Sequence, residues 1–484
     1  MNYCALVVSL SVLYMFAERG LAQVSPAAPE TPRETSSPLQ VASPAPPGAR
    51  SPFLGGVPAG PVSSTPVALS LADAIARGLR QNLGLTLGKE GTRTAQAARW
   101  LARSGLLPNV FARVADSPMQ INLQAYGFSL PGVNPIVGPF NVFDARLYAT
   151  ETLFNASALH TARSGEQNLQ AAEYSYQDAR DVVVLGVTGL YLQAVSGAAR
   201  VDAARAQFTT AEALSRRAAD LKSAGVVPGI DVLRAQVESQ AQQQRLIFYQ
   251  NEFEKQKLSL ARAIGMPVSQ EFTLADRVGY TPPPSMTLDE GLKHAFESRA
   301  DYRSAAAQLS AAESTLRAAR AERLPSVAVD GNYGAIGARP WNSHGTFSAE
   351  VALNIPVFQA GRTRADILQA DSLVAERRAA IEDLRNGIEQ DLRTAFLDLG
   401  ASGRQVQVAQ SALELAGEQL KQSEDRFAAG VTNNIEVVQA QESVATANEN
   451  YISALFAYNF AKASLARALG GAEKMYLQFS GGAH

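Results

Sequence analysis

The sequence predicts a mainly α-helical chain with a small β part, built from two copies of one half-protein. Three observations carry this. The peptide "AGVVPGIDVLRAQ" from Ala224 returns as "AGVTNNIEVVQAQ" from Ala429, and the same shift of 205 residues lays "SLARAIG" on "SLARALG". From Gly225 to Gly265, 14 of 41 aligned positions are identical, so the period is a duplicated half and not a short solenoid repeat. Long tracts dominated by Ala, Gln, Leu, Glu and Arg, with aromatics at 7%, have the profile of long helices. Finally, each half contains a window that alternates with period 2, the mark of a strand with two unlike faces.

The chain divides accordingly. Residues 1–22 read as a signal peptide: an apolar run from about Ala5 to Ala17 is too short to anchor in a bilayer, and cleavage is expected after Ala22. No Lys or Arg precedes that run, and Cys4 lies before it, out of place for lipid attachment. Residues 23–68, rich in Pro, Ser, Ala and Gly, are expected to be a disordered tether. A first repeat at 69–265, a connecting segment at 266–286, a second repeat at 287–470 and a tail at 471–484 complete the organisation.

Each repeat opens with a helix. Ser70 caps the first ahead of Leu71, and Thr287 caps the second ahead of Leu288, with Asp289 and Glu290 complementing the helix N-terminus. At a shift of 217, "LADAIARGLRQNLGL" lies on "LDEGLKHAFESRADY", and both helices are expected to run unbroken to Pro108 and Pro325. Strands follow near 109–116, 141–153, 326–335 and 346–358. In the last, Phe347, Ala349, Val351 and Leu353 alternate with Ser348, Glu350, Ala352 and Asn354. In 141–153, Phe143, Ala145, Leu147 and Ala149 alternate with Asp144, Arg146, Tyr148 and Thr150, and Glu151 is the one clear violation on the apolar face. The intervening "PMQINLQAYGFSLPGVNPIVGPF" and "IGARPWNSHG" read as loops. Proline-free tracts from about Ser157 to Lys222 and Thr363 to Phe427 then predict two very long helices. After each "AGV" turn a shorter helix returns, ending at Gly265 or Gly470. The long helices pair with the returning and opening ones in a long antiparallel array.

Each strand has the length that crosses a bilayer when tilted. Four strands cannot close a barrel, and lipid does not tolerate open sheet edges, so the chain is expected to oligomerise until the sheet closes. Three copies give twelve strands, enough for a conduit, whereas the interior of an eight-stranded barrel is filled by side chains.

The duplicated openings "LSLADAIARGLRQN" and "MTLDEGLKHAFESR", the strand-to-helix junctions "TLFNAS" and "PVFQAG", and the "RFAAGVTNNIEVVQAQ" turn resemble the TolC family of outer-membrane efflux channels, from Leu69 to Gly470. The resemblance implies a homotrimer with a twelve-stranded β-barrel in the outer membrane and a long antiparallel α-helical barrel in the periplasm. It also implies docking of the helical tip on a periplasmic adaptor (a membrane fusion protein) fed by an inner-membrane pump. The expected function is the exit duct of a tripartite efflux system for small molecules such as drugs, toxic compounds or metal ions. An exit duct for type I protein secretion is the alternative within the family, and a pore-less exported coiled-coil scaffold is the alternative outside it. The scaffold leaves the four matched period-2 segments unexplained.

The candidate functional residues lie at the two turns. Gly225 and Gly430 are read as helix C-caps with positive φ. The resemblance implies that Leu221, Ala224, Gly225, Val226, Phe427, Ala429, Gly430 and Val431 frame the adaptor contact, and an apolar turn exposed to water fits a partner there. Asp231 and Glu436 are equivalent acids just after the turns, where each complements a helix dipole. The resemblance places Glu436, with Asp231, at a narrow periplasmic aperture, where three copies would form an acidic ring. Family members carry a further acid at the position of Gln439 and a basic residue at Thr432, so this chain departs from the pattern there.

Composition excludes other classes. With 43 basic and 45 acidic residues, nothing points to nucleic acid. Four scattered histidines and one cysteine assemble neither a disulfide framework nor a metal cluster. No nucleophile–base set, P-loop or dinucleotide fingerprint is present, so neither an enzyme nor a cofactor is expected.

Overall fold

The computed structural model describes residues 55–60, 62–128, 132, 134–276, 279–282, 285–429, 431 and 434–473. The expected signal peptide and most of the expected tether and tail lie outside the described residues.

The first half runs β1 (Val67–Leu69), α1 (Leu71–Gln81), α2 (Leu83–Ser104), β2 (Asn109–Asn122), β3 (Ile136–Phe154), α3 (Ala156–Ser223) and α4 (Gly229–Ala263). The second runs β4 (Phe272–Leu274), α5 (Leu288–Ser298), α6 (Ala300–Ala321), β5 (Ser326–Arg339), β6 (Asn342–Asn354), α7 (Arg362–Ala428) and α8 (Asn434–Leu469). The two short strands aside, the halves carry the same elements in the same order. α3 has 68 residues and α7 has 67. At 1.5 Å per residue each is about 100 Å long.

The expected single opening helices are each broken in two. Asn82 breaks the first, with φ −65° and ψ 129°: its side-chain Oδ1 accepts the backbone N–H groups of Gly84 and Leu85, ending α1 and capping α2 in one step. The stretch expected to be tether supplies the remaining partners. Leu83 N–H donates to the Gly55 carbonyl at 2.8 Å, and Val57 N–H donates to the Gln81 carbonyl at 2.7 Å. Gly56 is forced by proximity, since a Cβ there would lie 2.1 Å from the Gly265 nitrogen. β1 then pairs in parallel with β4, joining the start of the first half to the start of the second. The tether therefore stops short of residue 68, because these segments find backbone partners that lie far away in sequence.

Arg299 breaks the second helix without a side-chain cap. Its buried guanidinium reaches Asp301 at 2.6 Å and Asp391 of α7 at 3.1 Å. Burial would push its pKa down, but these two carboxylates hold it above the ordinary guanidinium value.

The strands and their connections, Leu106–Asn155 and Leu324–Pro356, form one compact unit, and the helices form another. The sheet is antiparallel in the order β2-β3-β5-β6, so the halves meet at β3 and β5. The register sorts the side chains onto two faces. Val110, Ala112, Leu147, Ala149, Val329, Tyr333, Phe347 and Val351 share one. Arg113, Arg146, Asp144, Asn332, Asp330, Ser348 and Glu350 share the other. Glu151 lies opposite Val329 on the apolar face and remains the outlier there. On the polar face Arg146 pairs with Asp144, and Asn332 donates to the Ser348 hydroxyl.

All but one of the strands outrun their expected bounds. The expected loop "IGARPWNSHG" is largely strand, since β5 ends at Arg339 and β6 begins at Asn342. Its Gly, Asn, Ser and His residues pair through the backbone without an apolar face to betray the period. β6 in turn ends at Asn354 and not near 358; Pro356, just beyond, has no N–H for a ladder.

In the helical unit α3 packs against α1, α2, α4, α6 and α8, and α7 against α5, α6 and α8. Leu69, Ile75, Val183, Val187, Leu260, Ile264 and Phe272 form one core around Tyr191, whose hydroxyl donates to Asp276 Oδ2 at 2.9 Å. Burial pushes that phenol's pKa up. Leu392, Leu399, Val406, Leu465 and Leu469 form the counterpart around Tyr458 in the second half.

Candidate functional site

Each long helix ends in a tight reversal. At the first, Gly225 adopts φ +74°, Val226 N–H donates to the Leu221 carbonyl at 2.9 Å, and Gly225 N–H donates to the Lys222 carbonyl at 3.0 Å. These bonds satisfy the carbonyls orphaned at the end of α3, in the Schellman pattern. Pro228 then caps α4 in an extended conformation. The second reversal repeats the outer bond: Val431 N–H donates to the Arg426 carbonyl at 3.0 Å. Arg426 and Val431 are the counterparts of Leu221 and Val226. Gly430 and Thr432 lie outside the described residues.

The structure brings most of the expected contact residues to the surface. Ala224, Gly225 and Ala429 are exposed, Leu221 is half-buried, and Val226 and Val431 present 62% and 70% of their surface to solvent. Phe427 does not join them. It is 5% exposed, a core residue and not part of the frame. Ser423 lies one turn earlier and is also buried, so both belong to the inward stripe of α7. The counterpart of Phe427 in the first half, Lys222, is exposed.

The two acids stand in different surroundings. The Asp231 carboxylate is buried and accepts from Arg234, three residues on, at 3.2 Å. Glu436 is half-buried and pairs at 2.9 Å with Arg426, across the turn in the last turn of α7. Gln439 is exposed at the position equivalent to Arg234. Sequence reasoning missed both arginines. The available signal was a basic residue within one helical turn of each acid or directly across the reversal from it.

Behind the turns α8 is tied to the first hairpin. Arg200 of α3 pairs with Glu449 at 2.9 Å, and Arg245 of α4 pairs with Glu442 at 3.2 Å. These four side chains and Tyr249 line a cavity of about 250 Å³. Burial, with the Glu449 carboxylate, pushes the Tyr249 phenol up. The flanking helices leave apolar stripes in solvent: Leu233, Val237 and Ile247 on α4, and Leu397, Val408 and Leu415 on α7. Among the described residues no group of three His, Cys, Asp or Glu is placed to hold a metal ion.

Residues 291–471 match the outer membrane efflux protein family. The chain is 27% identical over 405 residues to the pyoverdine export outer membrane protein OpmQ of Pseudomonas aeruginosa, covering 81% of this chain and 82% of the relative. It is 23% identical over 419 residues to the toluene efflux pump outer membrane protein TtgF of Pseudomonas putida, covering 83% of each. Among solved structures, the CmeC outer membrane channel of Campylobacter jejuni superposes with a TM-score of 0.72 at 16% identity, covering 85% of this chain and 89% of that one. The outer membrane protein VceC of Vibrio cholerae gives 0.71 at 18% identity, covering 83% and 96%.

Proposed function

We propose that this chain is an outer-membrane efflux protein of the TolC type, and from that premise assign the roles of its sheet, its helices and its turns. It is the exit duct of a tripartite efflux system, residing in the outer membrane with its helical part in the periplasm. The observation that carries the reading is the sheet. Four antiparallel strands present an apolar and a polar face, and β2 and β6 are left as edges that lipid cannot satisfy. A homotrimer closes that sheet into twelve strands, with the Phe347 and Val351 face toward lipid and the Ser348 and Glu350 face toward the pore. The stripes on α4 and α7 support the same assembly, since in a closed ring each would be covered by a neighbouring copy.

The exposed turns, with Val226 and Val431 at their apices, are the surface we assign to the periplasmic adaptor, which couples the duct to an inner-membrane pump. Glu436 lines the aperture on this reading, and the buried Asp231 contributes less. Small organic molecules are the proposed cargo, because the relatives include a pyoverdine exporter and a component of a toluene efflux pump.

Single-cysteine variants test the reading. Cysteines at Ser348 and Glu350 should react with water-soluble thiol reagents in intact outer membranes, while those at Phe347 and Val351 should be shielded. Equal labelling of both sets removes the barrel assignment. Crosslinking in the same membranes should give a ladder ending at three copies, and a pore-forming monomer would refute the trimer.

A further inference from the structure

We infer that Arg426 sets the ion selectivity of the helical tip by holding Glu436 in an ion pair across the second turn. The inference deepens the proposed function and rests on the reading of the tip as the mouth of the pore. Glu436 follows the reversal in the first turn of α8, and Arg426 precedes it in the last turn of α7. Their side chains meet at 2.9 Å, with the guanidinium 56% and the carboxylate 35% exposed. Each also sits at the helix end its charge prefers, the cation at a C-terminus and the anion at an N-terminus. The contact is therefore favoured from both sides, and it leaves the pair in reach of passing ions.

The duplication isolates what Arg426 adds. Its counterpart in the first half is Leu221, an apolar residue, and there Asp231 draws its cation from Arg234 within its own helix. The second half has Gln439 where the first has Arg234, so the local cation is gone and the one across the turn takes its place. Each acid is paired with an arginine, but the arginine has moved to the other side of the reversal. A ring of three Glu436 carboxylates alone would concentrate cations at the aperture. Three Arg426 guanidiniums beside them cancel most of that field. The tip of the unmodified protein is thus close to neutral in selectivity, and the acidic aperture is masked.

Reversal potentials across planar bilayers under a KCl gradient test this on the full-length protein. Arg426→Gln should unmask the acids and raise the cation-to-anion permeability ratio about threefold or more. Glu436→Gln should move it the opposite way, toward anions, because an uncompensated arginine remains. The double variant should return near the parent, and Arg426→Lys, which keeps the charge, should stay there throughout. If Glu436→Gln lowers cation selectivity while Arg426→Gln leaves the ratio unchanged, the compensation is wrong and the aperture reading survives. If neither single variant moves the ratio, the turns do not line the pore, and the aperture reading falls with the inference.

Discussion

The two hairpin turns are copies of one sequence that the fold has furnished differently. Both close with the same hydrogen bond, Val226 to Leu221 and Val431 to Arg426, and both place an acid one turn into the returning helix. Their side chains then diverge. The first turn exposes Lys222 and buries Asp231 against Arg234; the second buries Phe427 and leaves Glu436 half-exposed against Arg426. Backbone geometry at a reversal is a local matter that duplication preserves. The side chains around it answer to whatever each copy packs against, and there the copies have drifted apart. The first hairpin buries its acid beside a cation of the same helix, whereas the second leaves its acid half-exposed beside a cation across the turn.

Five substitutions sharpen that contrast, and local opening free energies from hydrogen exchange at peptides spanning each turn measure them all. The largest effect is expected from Phe427→Ala, which empties a buried site and should cost about 3 kcal/mol at the second turn. Lys222→Ala, its counterpart, should stay within about 0.5 kcal/mol. Equal losses at the two positions would remove the claimed difference in packing.

Gly225→Val comes next. Nothing lies within 4 Å of a Cβ built there, so the penalty is conformational alone, about 1–2 kcal/mol for a side chain at positive φ. Trimers should still assemble, and export should fail if the turn is the adaptor surface. Normal export by that variant would move the docking site elsewhere.

Asp231→Asn is expected to cost about 1 kcal/mol, because a buried acceptor loses its charge while Arg234 stays nearly half-exposed and can turn to water. The smallest change belongs to Glu436→Gln, under about 0.5 kcal/mol, since its pair is largely solvated. If Glu436→Gln destabilises its turn more than Asp231→Asn does, the proposed division between an anchoring acid and an aperture acid is reversed.

Much of this was legible beforehand. The positive φ of Gly225, the length of α3 and α7 and the apolar and polar faces of β3 and β6 follow from residues close together in sequence. Phe427 was misplaced because an aromatic residue beside a turn looks like a contact residue, and only the helical phase shared with Ser423 turns it inward. The breaks at Asn82 and Arg299 were missed for two reasons. Asparagine inside a helical pattern is a weak signal when no proline accompanies it, and the acid that helps hold Arg299, Asp391, lies on another helix. The strap from Gly55 to Leu69 was hidden by its composition, since Pro, Ser and Gly do not announce the backbone bonds that order them.

The sequence by itself determined the duplication, the alternation of long helices with four two-faced strands, and the reversals that follow α3 and α7. These depend on helical period, strand period and glycine's conformational freedom, which act over a few residues and so can be read from them. Only the tertiary structure decided which arginine meets which acid, that Phe427 faces inward, and that the N-terminal strap fills the gap between α1 and α2. Those outcomes rest on contacts between segments brought together by folding. An ion pair or a backbone bond of that kind forms only where packing delivers both partners to within about 3 Å, and no local pattern carries that distance.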